Sequence, residues 1–252
     1  MLRSFLRWGA PVVALCAALL APAQSNATVI LTGCANPGYC TFTELLQPGA
    51  SIQANDLIFS NFTRFVNGGQ TNRLPNTNNI LVSGLDDGGL DPGPGLLFSL
   101  NGQFDVTNGF FMDLLTSFYV ASALTSPYDI KDSTITMNIV SAVGAQSAAG
   151  VEQILYQDNE VDILFTHTVD VRPPNVSILT SHTEFDPRDA IFNTLQLRVW
   201  PGSDTFGNAS LTQFEVRFSE QLAPNVPEPG SITLLGAGLL AAITLIRKRN
   251  QG

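Results

Sequence analysis

From residue 28 to about residue 221, apolar and polar residues alternate with period two, and almost no stretch repeats with the period of a helix. The pattern is clear in Leu195-Gln196-Leu197-Arg198-Val199-Trp200 and in residues 211–218, where Phe214, Val216 and Phe218 share one face. Ile135-Thr136-Met137-Asn138-Ile139-Val140 approaches it, and residues 56–65, 96–106, 112–121, 153–156 and 162–170 are further strand candidates. Residues 110–124 could be read as a helix, but their Phe, Tyr, Val and Thr content favours a strand. Turn clusters such as Asn67-Gly68-Gly69 and Asp91-Pro92-Gly93-Pro94-Gly95 punctuate the runs. Strands without intervening helices predict an all-β fold, an antiparallel β-sandwich of jelly-roll-like kind, in one domain over residues 28–222.

Both ends of the chain stand outside this pattern. Arg3 and Arg7 make a basic start, residues 8–21 carry no charge, and small-residue cleavage patterns follow at Ala21-Pro22-Ala23 and Ser25-Asn26-Ala27. Together they predict a secretory signal peptide over residues 1–27, cut after Ala27 or else after Ala23, with the translocon and signal peptidase as first partners. The apolar stretch is too short for an ordinary spanning helix, and Pro11 and Pro22 bracket it. Leu31-Thr32-Gly33-Cys34 resembles a bacterial lipobox, but Gln24, Ser25 and Asn26 separate it from the apolar segment. In an oxidising compartment a Cys34–Cys40 disulfide is the simpler account, since the intervening Ala-Asn-Pro-Gly-Tyr has the residues of a tight turn. Cys16 falls within the signal peptide.

Charge divides in the same way. Residues 28–226 hold 20 acidic and 7 basic residues, a net charge of −13. That balance argues against nucleic acid and against anionic membrane surfaces as partners, and it suits solubility or cation binding.

The C-terminus reads Val226-Pro227-Glu228-Pro229-Gly230, then uncharged residues 231–246, then Arg247-Lys248-Arg249. Two prolines remove two backbone donors and fix φ, so residues 223–230 form an extended, accessible linker. As a helix, residues 231–246 would measure about 24 Å, a short transmembrane span. The basic cluster in residues 247–252 holds that end in the cytoplasm by the positive-inside rule. The Pro-Glu-Pro segment is then left outside, on the side to which the signal peptide delivers the domain. This order of parts resembles the PEP-CTERM sorting signal of Gram-negative-type bacteria, a tail also labelled ice-binding protein C-terminal domain. The resemblance covers about 26 residues. It implies recognition by an exosortase, a membrane-embedded cysteine transpeptidase, which cuts near Pro227, Glu228, Pro229 and Gly230. Before processing, the helix would hold the protein in the inner membrane; afterwards the cargo passes to the cell surface or matrix, in company with exopolysaccharide and biofilm. A permanent anchor is the competing reading of the same tail.

Residues able to carry chemistry are sparse in the exported part. There are two histidines, His167 and His182, and no Gly-x-Ser-x-Gly elbow. Alternation places His167 on one face with Phe165 and Val169. His182 sits with Glu184 and Asp186, a better start for a metal cluster, although a solvated loop is the simpler reading without a third ligand. Glu152, Asp158, Glu160 and Asp162 could supply paired carboxylates for glycoside hydrolysis, or could simply be surface acids. Asp86, Asp87 and Asp91 lie in a Gly-rich turn that could wrap calcium, but without the spacing of an EF-hand loop an acidic surface turn is the simpler reading. No other cofactor is indicated. Trp200, Tyr119 and Tyr156 could stack on sugar rings, but Trp200, ending a strand before Pro201-Gly202, better suits a core or rim position. Thr41, Thr43, Thr134 and Thr136 are isolated pairs, not the regular array that ice binding needs.

The expectation from sequence is therefore an exported, non-catalytic surface or extracellular-matrix protein, sorted by an exosortase and associated with extracellular polysaccharide. The alternatives are a secreted carbohydrate-active enzyme and a calcium-dependent adhesive or carbohydrate-binding module.

Overall fold

The computed structural model describes residues 28–67, 75–86, 90–107, 110–144, 146–173, 176–202 and 207–223. The predicted signal peptide, the Pro-Glu-Pro motif, the spanning segment, the basic tail and Asp87 lie outside the described residues. Among the described residues, no helix is long and apolar enough to cross a membrane.

In chain order the elements are β1 (Val29–Thr32), β2 (Cys40–Thr41), α1 (Phe42–Leu45), β3 (Ser51–Ala54), β4 (Leu57–Asn67), a 3₁₀ turn (Thr77–Asn79), β5 (Leu81–Leu85), β6 (Gly95–Thr107) and β7 (Met112–Ser122). There follow β8 (Tyr128–Val143), β9 (Ala148–Gln157), β10 (Ile163–Arg172), β11 (Val176–Ile178), β12 (Thr180–Arg188), β13 (Ala190–Trp200) and β14 (Asn208–Leu222). They form two antiparallel sheets, ordered β1-β3-β4-β7-β13-β9-β10-β11 and β12-β8-β14-β6-β5-β2. At the centre, β7-β13-β9-β10 faces β6-β14-β8-β12, with late strands β13 and β14 inserted between early ones. That interleaving is the jelly-roll arrangement. The next strands outward, β4 beside β7 and β5 beside β6, continue it.

The period-two pattern does what it must in such a fold. On β13, Ile191, Leu195, Leu197 and Val199 turn inward and are buried, while Arg198 and Trp200 are exposed. Between the sheets, Phe59 and Phe118 of the larger sheet meet Phe98, Phe214 and Phe218 of the smaller. Phe98 stacks on Phe214 with centroids 4.7 Å apart, and Phe59 lies 5.9 Å from Phe218. Each such side chain contributes about 1.5–3 kcal/mol by leaving water.

Cys34 and Cys40 form a disulfide with Cα atoms 5.0 Å apart. The loop it closes is held by Glu44, whose Oε1 accepts from the Ala35 amide at 2.9 Å. The other Glu44 oxygen accepts from the Thr41 amide at 2.7 Å, while Thr41 caps α1, a capping box of the Thr-x-x-Glu kind. These backbone donors, Ala35 first and Thr41 next, hold the Glu44 carboxyl below its ordinary range. One correction concerns residues 180–188. They form β12, an edge strand, where a solvated loop was the simpler expectation. An edge strand has one wet face and an unpaired side, so its polar sequence hides the alternation that buries Thr183.

Candidate functional site

The outward side of the larger sheet brings together residues that are far apart in sequence. Cross-strand register sets Asp113 of β7 beside Arg198 of β13, Arg198 beside Gly150 of β9, and Gly150 beside Asp170 of β10. A groove of about 910 Å³ runs over this point. Ala148 and Gly150 are part of its floor, and Trp200, paired with Ala148, stands over it at 45% exposure. Gly150 cannot be larger: a Cβ would come within 2.8 Å of the Val169 carbonyl oxygen and 3.0 Å of the Asp170 Cβ. On the opposite side of Trp200 a second depression, about 450 Å³, is lined by Phe111, Met112, Asp113 and Arg198.

The groove's charges are organised in pairs. Arg172 Nε lies 2.5 Å from Asp170 Oδ2. Arg198 reaches Asp113 at 3.7 Å and Glu152 at 3.6 Å, and the Gln196 amide donates to both Asp113 oxygens at 3.0 and 2.8 Å. The arginines remain 63% and 58% exposed, so their unused donors face the groove mouth and solvent.

Towards the other end of β13, Phe192 sits between Tyr119 of β7 and Tyr156 of β9, with centroids 5.0 and 5.9 Å away. All three are half-buried on the outward face. The Tyr119 hydroxyl donates to Glu160 in the β9–β10 turn. Burial first, and then that carboxylate, push the hydroxyl up to about 12. From Phe192 to Trp200 the strand spans about 26 Å. The face is thus aromatic at both ends, with polar Thr194, Gln196 and Arg198 between.

Other candidates are placed apart from this face. His167 points inward and is 7% exposed; its Nε2 lies 2.6 Å from Gln153 Oε1 and its Nδ1 3.1 Å from Ser181 Oγ. Burial, with His182 adding to it, lowers its pKa to about 4. His182 is held by Thr134 at 2.9 Å and approaches Glu184 at 3.7 Å on exposed β12, with Asp186 also exposed. Of the four acids offered for hydrolysis, Glu152 is in the groove, while Asp158, Glu160 and Asp162 belong to the β9–β10 turn region. Asp91 is engaged by Lys131 and by the Ser219 hydroxyl, each at 3.4 Å, and Asp86 accepts from the Thr28 amide at 2.5 Å. Sequence reasoning missed Arg172, Arg198, Asp170, Gly150 and Phe192, because alternation shows which residues point outward but not which strands are neighbours.

Residues 225–249 match the family model of the PEP-CTERM protein-sorting motif. The chain carries an exosortase sorting signal. It is therefore an exported protein directed to the cell surface. No curated protein matches the chain significantly. Solved structures similar to it include TmCBM61 in complex with β-1,4-galactotriose, at 9% identity, covering 65% of this chain and 90% of that one, with a TM-score of 0.25. Others are CBM32-3 from a family 31 glycoside hydrolase of Clostridium perfringens (8% identity, 62% and 90% covered, TM-score 0.27) and the family 11 carbohydrate-binding module of Lic26A-Cel5E of Clostridium thermocellum (14%, 66% and 91%, TM-score 0.22).

Proposed function

We propose that the mature protein is a non-catalytic surface or matrix component that holds an extracellular polysaccharide along the outward face of its larger sheet. The observation that carries this reading is the groove beside Trp200, with Gly150 in its floor and its fringe of paired arginines and carboxylates. A sugar ring offers an apolar C–H face to an indole and hydroxyls to planar donors and acceptors, and both are provided here. An open groove on a face that also carries an aromatic row suits a polymer better than a small ligand, which favours an enclosed pocket. The groove carboxylates are each joined to an arginine, whereas glycoside hydrolysis needs two carboxyls set across the scissile bond, one of them protonated. Export and exosortase sorting deliver this face to the compartment where exopolysaccharide is found.

Affinity electrophoresis in gels containing the host's exopolysaccharide tests the proposal. The mature protein should be retarded, and Trp200→Ala should migrate at least tenfold more weakly bound, a loss of about 1.4 kcal/mol or more. Equal retardation of both proteins would remove the groove from the account. Release of reducing ends during incubation would instead make the protein an enzyme.

A further inference from the structure

Antiparallel register lays two neighbouring rows of residues across the outward face of the larger sheet. One row is Asp113, Arg198, Gly150 and Asp170, and the next is Leu115, Gln196, Glu152 and Thr168. Arg172 lies two residues beyond Asp170 on β10, on the same side of the strand. At the aromatic end of the face, the β9–β10 turn adds exposed Asp158, Glu160 and Asp162, and the Tyr119 hydroxyl donates to Glu160. On β7, β13, β9, β10 and that turn, the outward described residues therefore hold six carboxylates against two arginines.

Both arginines already stand beside carboxylates. Arg172 Nε lies 2.5 Å from Asp170 Oδ2, and Arg198 is shared between Asp113 at 3.7 Å and Glu152 at 3.6 Å. An anionic polymer would have to draw an arginine from its partner and then lie along the negative charge that remains. Like charges brought together in this way oppose association. The net charge of −13 over residues 28–226 acts in the same direction at longer range.

Hydroxyl groups meet a different surface. A hydroxyl both donates and accepts, a guanidinium only donates and a carboxylate only accepts, so each arginine–carboxylate pair presents both complements side by side. Hydrogen bonds to such ionised partners are the strong ones. The Gln196 amide, donating to both Asp113 oxygens, holds one of these acceptors in place, and Thr168 adds an uncharged hydroxyl to the lining.

We propose, resting on the polysaccharide reading of this groove, that its ligand is an uncharged polysaccharide. Its hydroxyls are recognised by the Asp170–Arg172 pair and the Asp113–Arg198–Glu152 group, and its apolar ring face by Trp200. Polymers rich in uronic acid or sulfate are turned away by the same carboxylates.

The host's exopolysaccharide, passed over an anion exchanger, gives a neutral flow-through and a retained anionic fraction, and each is coupled to a sensor surface to test this. The mature protein should bind the neutral fraction with an affinity that changes less than about twofold between about 0.1 M and about 1 M sodium chloride, since there is no ligand charge to screen. It should bind the anionic fraction at least about tenfold more weakly. Discrimination below tenfold, or binding to the neutral fraction that falls tenfold in the higher salt, would overturn the inference. If Trp200→Ala abolishes that binding as well, the groove still holds a polymer and only the ligand class is wrong. Binding to neither fraction, or binding that Trp200→Ala leaves untouched, would remove the groove and this inference with it.

Discussion

Acid should destabilise this protein through one buried imidazole. Gln153 is fully buried, and its Oε1 accepts from both the Ser133 hydroxyl at 3.0 Å and His167 Nε2 at 2.6 Å, while its amide nitrogen donates to Asn193 Oδ1 at 2.5 Å. With that amide orientation, His167 is the Nε2–H tautomer, and its Nδ1 accepts from the Ser181 hydroxyl. Both ring nitrogens of the neutral form are satisfied. A second proton would bury a charge and set it against His182, which is why the pKa falls from 6.5 to about 4. Because the folded value is the lower one, the unfolded chain takes up protons first as pH drops. The stability is complete above pH 6.5, declines between 6.5 and about 4, and in total loses about 3 kcal/mol, of which about 2 kcal/mol goes between pH 7 and pH 5. Glu220 works in the opposite sense: burial raises its pKa, so stability rises as pH falls from about 8 towards the ordinary carboxyl range. The comparison must therefore be a difference. Urea unfolding at pH 7 and pH 5, for wild type and His167→Gln, should show wild type losing about 2 kcal/mol more than the variant. Equal pH dependence in the two proteins would refute the reasoning, whatever the variant's absolute stability.

Three further outcomes follow from the core, the disulfide and the groove. Phe118 is buried against Phe59, Phe62 and Phe98, with the Phe62 centroid 5.1 Å away. Phe118→Ala should cost about 3–5 kcal/mol in chemical denaturation, and a cost under about 1 kcal/mol would contradict the packing described. Reducing the Cys34–Cys40 bond opens a loop of 7 residues and should cost about 2.4 kcal/mol; mass spectrometry should show that peptide gaining two hydrogens, whereas a lipid adduct on Cys34 would restore the lipobox reading. Gly150→Val should lower both stability and polysaccharide retention, since its Cβ meets the Val169 carbonyl at 2.8 Å under the groove; unchanged retention would place the ligand elsewhere.

How far the sequence could be read depends on what each residue reports. Central strands such as β13 and β14 bury one face completely, so Leu195, Leu197 and Val199, or Phe214, Val216 and Phe218, show the period plainly. Edge strands show it poorly: β1 exposes Val29 and Ile30, and β12 is polar on its wet face, so neither was visible as a strand. The helix α1 is four residues long, too short for a hydrophobic period, and its Thr41–Glu44 capping box emerges only in the structure. The disulfide was legible because both partners lie within one turn. The groove was not, since Asp113, Gly150, Asp170 and Arg198 meet only through strand order, and Glu220 reads as a surface acid until β14 is seen to carry it inward.

Sorting by an exosortase underlies the proposed role at the cell surface, and the ends of the mature chain report on it directly. Mass spectrometry of the protein recovered from its native cells should find a start at Thr28, or at Gln24, and an end near Pro229. A chain still ending at Gly252 would mean that the tail remains as a plain anchor, and the release of this domain to a polysaccharide matrix would fall with it.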